Sequence, residues 1–166
     1  MARILVAYAT RNGSTALIAE AIARELEAAG HRAEAVEIGR VPSPAGYDGV
    51  VLGGPVYIGR IDGRLGKYVR RHTGVLARLP VAGFVVCLAA ASEDAAGIAI
   101  AEKALHAALL PLSPVAETVF AGSLDPDRLS WLQRWMITRV KSPVGDFRNW
   151  DTIRAWAREL PGKMKV

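Results

Sequence analysis

Apolar residues fall along this chain in short blocks separated by stretches with helical spacing. Ile4-Leu5-Val6-Ala7-Tyr8 has the β-branched and aromatic content of a buried strand. Behind it Leu17, Ile18, Ile22 and Leu26 recur on one side of a predicted helix that ends at Gly30. Arg32 to Ile38 sets Ala33 and Ala35 between charges, the pattern of a second, more exposed strand. Pro42-Ser43-Pro44 reads as a loop, Asp48 to Gly54 as a buried third strand, and Pro55 to Arg60 as an irregular loop at its end. A helix over Gly63 to Leu79 leads to a fourth strand over Val81 to Ala90. The loop Ala91-Ser92-Glu93-Asp94, a helix around Ile98 to Leu110, a fifth strand over Val115 to Ala121 and a last helix over Asp151 to Leu160 follow.

Strands alternating with helices predict a parallel sheet with right-handed crossovers, covered on both faces. Ligands of such sheets bind beyond the carboxyl ends of the strands, at the topological switch point. The loops after the first, third and fourth strands would meet there. The first of them, Thr10-Arg11-Asn12-Gly13-Ser14-Thr15, has the makings of a phosphate site. It enters a helix whose first N–H groups lack internal partners and carry the positive end of the macrodipole. Its short polar side chains add hydrogen bonds, and Gly13 permits positive φ and close backbone approach. The same residues also fit a plainer role, with Ser14 or Thr15 capping the helix. Neither G-x-x-x-x-G-K-[ST] nor G-x-G-x-x-G occurs, which argues against a nucleoside triphosphatase and a dinucleotide fingerprint.

The 166 residues suit one domain with its own core. No apolar run approaches the ~18 residues of a membrane span, the N-terminus enters a strand directly, and the lone Cys87 excludes an internal disulfide. A cytoplasmic location is expected. Cys87 itself reads as a small buried hydrophobe, and His31, His72 and His106 lack metal-ligand spacing, so no metal is expected. The net charge of +5 favours an anionic partner or surface. Nucleic acid is not expected as that partner, for want of a binding motif or an aromatic platform.

The segment Gly122 to Asn149 is too long for an ordinary connection. If Arg128 to Lys141 is helical, Leu129, Leu132, Met136 and Val140 gather on one side with Trp131 and Trp135 at its edge. Arg128, Arg134, Arg139 and Lys141 accompany them without an acid. Such a helix suits an anionic membrane interface at the inner face of the cell membrane. It equally suits packing on the domain itself or on a second copy in a homodimer.

Taken together, these loops resemble those of the flavodoxin-like FMN proteins, and the resemblance covers nearly the whole chain. It implies a doubly wound five-stranded parallel sheet in the order 2-1-3-4-5 with a long insert before the last helix. It also implies FMN, its phosphate on Thr10, Arg11, Asn12, Gly13, Ser14 and Thr15. The isoalloxazine would lie against Gly53, Gly54, Pro55, Val56, Tyr57, Ile58 and Gly59 on one side, with Tyr57 stacking on the ring. Ala89, Ala90, Ala91 and Ser92 form the other loop, which has no aromatic residue and would leave that ring face open. The insert, with Arg128-Leu129-Ser130-Trp131-Leu132-Gln133-Arg134-Trp135-Met136-Ile137 and Gly145-Asp146-Phe147-Arg148, is similar to that of the menaquinone-dependent protoporphyrinogen IX dehydrogenases.

That narrower resemblance implies oxidation of protoporphyrinogen IX to protoporphyrin IX, a step of heme biosynthesis, with a quinone as acceptor. Arg128, Trp131, Arg134, Trp135 and Arg148 would be the substrate-contacting residues, and no side chain stands out as a catalytic base. Two departures are visible. Asn12 replaces an acid of the family's phosphate loop, and the neighbours of Gly59 are Tyr57, Ile58, Arg60 and Asp62, where family members can carry arginine and histidine. A flavodoxin-type electron carrier and an NAD(P)H-quinone reductase are the rival readings, the first disfavoured by the basic charge.

Overall fold

The computed structural model describes residues 1–41, 43–140 and 144–166, so the readings made for Pro42 and Lys141 fall outside the described residues, as does the side chain of Val140. Five parallel strands, β1 (Arg3–Tyr8), β2 (Arg32–Glu37), β3 (Gly49–Tyr57), β5 (Val81–Cys87) and β6 (Ala116–Ala121), lie in the order β2-β1-β3-β5-β6. This is the expected 2-1-3-4-5 arrangement, with the two-residue β4 (Arg60–Ile61) pairing antiparallel to the end of β3.

Alternation along the strands divides the core in two. Leu5, Ala7, Val50, Leu52 and Val85 face Leu65, Val69 and Leu76 of α2 (Gly63–Leu76) and Ala101, Leu105 and Leu109 of α3 (Ala95–Leu109). Ile4, Val6, Val51, Phe84 and Phe120 face Ile18, Ile22 and Leu26 of α1 (Ser14–Ala28) and Ile153, Ala157 and Leu160 of α5 (Trp150–Met164). Both faces of the sheet are thus buried, and the strand ends alone remain open for a ligand.

Two boundaries differ from the sequence reading in ways that matter. Pro55 to Arg60 is not an irregular loop: β3 runs on to Tyr57, which pairs with Arg60 across a two-residue turn. Ile58 and Gly59 both take positive φ, 48° and 70°, as the tightest hairpin turns require. The fourth main strand stops at Cys87, and Leu88–Ala91 forms a single 3₁₀ turn.

The insert opens with β7 (Ser123–Leu124) and closes with β8 (Gly145–Asp146), which pair antiparallel, so its two ends are clasped together. Between them a 3₁₀ turn at Pro126–Arg128 precedes α4 (Trp131–Val140). Ser130 and Gln133 form a reciprocal capping box at the start of α4: the Gln133 N–H donates to Ser130 Oγ (3.3 Å) and the Ser130 N–H to Gln133 Oε1 (3.0 Å).

Candidate functional site

The ends of β1, β3 and β5 and the insert enclose a cleft of about 370 Å³, within the range of small-molecule sites, roughly 300–1,000 Å³. Its floor is the loop after β1. There the Gly13 N–H donates to Thr10 Oγ1 (3.0 Å) and Gly13, at φ 85°, is the N-cap of α1. No side chain caps this helix, so the capping role considered for Ser14 or Thr15 is not taken up. The first-turn N–H groups, which by helix geometry have no carbonyl one turn back, are left for an anion. No acid occupies the first turn to compete with one.

Charge fixes this loop from behind. Asp62 is only 4% exposed and pairs with Arg64 (3.0 Å) and Arg11 (3.4 Å), and Arg64 also reaches Glu37 (3.1 Å) and donates to the Thr10 carbonyl (2.6 Å). Asp62 further caps α2 by accepting from the Arg64 N–H (3.0 Å). Hydrogen bonds from the Arg64 side chain, outweighing the burial that opposes them, hold the Asp62 carboxyl down to about 2. Arg11 therefore turns toward Asp62 and lies 5.4 Å from the centre of the Tyr57 ring.

Tyr57 forms one wall and is, among the described residues, the one aromatic lining the cleft. Asn12 Nδ2 donates to its hydroxyl (3.2 Å), tying wall to floor, and burial pushes that hydroxyl above its usual range. Beside it Ile58 lines the cleft while holding a left-handed backbone that a β-branched side chain rarely adopts. Ile58→Gly is expected to stabilise the hairpin by about 1 kcal/mol in urea unfolding while weakening flavin binding through the lost apolar contact. Tighter binding by the glycine variant would contradict that role.

The opposite side is built from small and apolar groups: Cys87, Leu88, Ala89, Gly97 and Ile100. Burial raises the Cys87 thiol, in keeping with its reading as a buried hydrophobe. A Cβ on Gly97 would lie 2.5 Å from Ala89 Cβ, so the glycine lets α3 close on this turn. The insert supplies the remaining side through Leu124, Leu129, Gln133, Met136 and Ile137.

Of the residues expected to hold a flavin, Thr10, Arg11, Asn12, Ser14, Thr15, Pro55, Val56, Tyr57, Ile58, Gly59 and Ala89 line this cleft. Ala90, Ala91 and Ser92 do not, because the 3₁₀ turn carries them away from it. Gly53 and Gly54 are inside β3, not beside the cleft, and a Cβ on Gly53 would lie 2.1 Å from Phe84 Cζ. Its smallness accommodates a core ring.

The five insert residues expected at a substrate also separate. Trp131 is 80% exposed and Trp135 54% exposed, the latter with Arg139 4.6 Å from its ring centre. Arg134 donates to the Pro126 carbonyl (2.6 Å) and pairs with Asp127 (3.4 Å). The helix is phased differently from the sequence reading: Leu129, Gln133, Met136 and Ile137 face the cleft, whereas Leu132 is half exposed. Arg128 and Arg148 line a second cleft beside the phosphate loop. Cys87, Gly97, Ile100, Gln133 and Ile137 escaped notice as site residues. The S-x-x-Q box at Ser130 was the available sign of where the insert helix starts, and so of its phase.

An anion-receiving loop, an aromatic wall and a long apolar cleft at the switch point of a 2-1-3-4-5 sheet define the class of flavodoxin-like proteins. The chain belongs to the flavodoxin family: the model described as "Flavodoxin domain" matches residues 5–150. Its fold is similar to oxidised flavodoxin 1 from Bacillus cereus, with a TM-score of 0.63 at 15% identity over 96% of this chain and 97% of that one. It is also similar to the Fusobacterium nucleatum flavodoxin bound to flavin mononucleotide, with a TM-score of 0.61 at 13% identity over 99% of both chains. In sequence it is 27% identical to a protein named protoporphyrinogen IX dehydrogenase (quinone) from Escherichia coli K12, across 95% of this chain and 94% of that protein. A relative of the same name from Leishmania major is 28% identical across 95% of this chain and 74% of its own length.

Proposed function

We propose that this protein oxidises protoporphyrinogen IX to protoporphyrin IX, with the hydrogen delivered to a quinone. At the coarser level it is an FMN oxidoreductase of the flavodoxin family. The observation that carries the finer reading is the insert, whose helix α4 brings Gln133, Met136 and Ile137 to a cleft otherwise built on a flavodoxin sheet. Relatives matching nearly the whole chain, insert included, are named for this reaction.

The residues present fit FMN. Thr10, Asn12, Ser14, Thr15 and the first-turn N–H groups of α1 would hold its phosphate, and Tyr57 would offer the aromatic surface for its ring. Bound FMN supplies the two-electron redox chemistry. Tyr57 and Asn12 would orient it, Pro55 to Gly59 would line it, and the insert would exclude water from the apolar ring system of the substrate. Leu88 and Ala89 add no second aromatic to the cleft lining, which would leave room for substrate and quinone to approach the flavin in turn. Among the described residues no helix is long and apolar enough to cross a membrane. The exposed Trp131, Leu132 and Trp135 on α4 are the side we assign to an anionic membrane surface, from which a lipid-soluble quinone would arrive.

Purified protein with FMN, protoporphyrinogen IX and a soluble menaquinone analogue, kept anaerobic, tests this by porphyrin fluorescence. Turnover that requires both flavin and quinone is expected. Absence of turnover with FMN bound would move the reading to an electron carrier or another quinone reductase. On the same preparation, pelleting with anionic vesicles is expected to be lost in W131A/W135A, and unchanged pelleting refutes the membrane face.

A further inference from the structure

A second cleft of about 390 Å³ adjoins the phosphate loop, and Asn12 and Ser14 line both clefts. The insert docks here: the Ser123 N–H donates to Ser14 Oγ (3.2 Å). A few residues on, the 3₁₀ turn carries Arg128 back over the loop. Its Nη1 lies 3.4 Å from where a Cβ on Gly13 would be. A guanidinium therefore sits against the N-cap of α1, where the positive helix end and the unpaired N–H groups already await an anion.

Of the neighbouring arginines, Arg11 and Arg64 share Asp62. Arg148 is held in a two-point pair by Asp146 (2.8 and 2.6 Å), and its buried Nη1 has no hydrogen-bond partner among the described residues. Among the described residues Arg128 pairs with Asp125 alone, at 3.6 Å, with both side chains more than half exposed. Exposed pairs of this kind contribute little, and a phosphate dianion competes well for a planar guanidinium.

We infer that Arg128 contacts the FMN phosphate, so that the insert supplies the cation of a site whose other donors are N–H and hydroxyl groups. This inference rests on the FMN reading above. It makes cofactor retention depend on the insert as well as on the sheet, and it assigns Arg128 to the phosphate rather than to a substrate carboxylate.

The test is titration of the flavin-free full chain with FMN and with riboflavin, which lacks the phosphate, followed by quenching of flavin fluorescence at low and high salt. R128A is expected to weaken FMN binding about 10- to 100-fold, to leave riboflavin binding unchanged and to flatten the salt dependence. R128K keeps part of the affinity, being a point charge without the fork. D125N preserves the acceptor for the Asp127 N–H (2.9 Å) and removes the competing charge, so FMN binds several-fold tighter. Unchanged FMN affinity in R128A overturns the inference, as does an equal loss for FMN and riboflavin, which would mark a purely structural arginine. Failure of the unaltered chain to bind either flavin would instead overturn the FMN reading, and the inference with it.

Discussion

Gly53→Ala is expected to destabilise the protein by about 3 kcal/mol, the upper end of overpacking costs. The added Cβ would lie 2.1 to 2.6 Å from three atoms of the Phe84 ring. Phe84 cannot step aside, because it is fully buried and packed with Phe120 and Trp156, at ring-centre distances of 6.0 and 6.4 Å. Gly53 and Phe84 are also register partners on adjacent central strands, so the clash cannot be relieved by sliding one strand alone. Urea unfolding of G53A, F84L and the double variant checks this. The double variant should recover more than 1 kcal/mol relative to the sum of the two single losses. Additive losses would mean that the glycine is needed for something other than the ring.

Asp62→Ala should cost about 3 kcal/mol and at least tenfold in FMN affinity. The substitution strands Arg64, which otherwise donates to the Thr10 carbonyl, and removes the cap of α2. The stability effect comes from loss of a buried charge partner, and the binding effect from a phosphate loop no longer held from behind. Acid reports the same contact. Folding lowers the carboxyl from 3.8 to about 2, so as pH falls the unfolded chain takes up this proton first. Asp62 then contributes roughly 2 kcal/mol above about pH 4, lost as pH falls toward 2. Urea midpoints of wild type and D62N across that range should converge at the acid end. Parallel curves would show that the carboxylate charge is not what stabilises the loop.

The parts of the site legible in the sequence are those made locally. A strand, a hydroxyl-and-glycine loop and a helix are neighbours in the chain, so Thr10 to Thr15 could be read together as one loop at a helix start; alternation of strands and helices gave the parallel sheet, while its order came from the family resemblance. What depended on distant partners was misread. Gly53 resembled a ligand-facing glycine because Phe84, the residue that demands it, lies on another strand. Asp62 stood out only as a departure from a family pattern, since Arg11, which pairs with it, and Glu37, which shares Arg64 with it, are brought there by folding. The phase of α4 was missed because Leu132 and the tryptophans suit either a core or an interface, whereas the capping box at Ser130 and Gln133 was decisive and local.

The clasp at the base of the insert has an evolutionary consequence. Ser123 opposes Asp146, so everything between them enters and leaves the fold at one place without cutting the sheet. A flavodoxin ancestor could have gained this segment in a single event and kept its sheet and crossovers intact. The segment is in that sense a portable cassette, and transplanting residues 123–146 onto a flavodoxin that lacks it would ask whether the proposed activity travels with the roof.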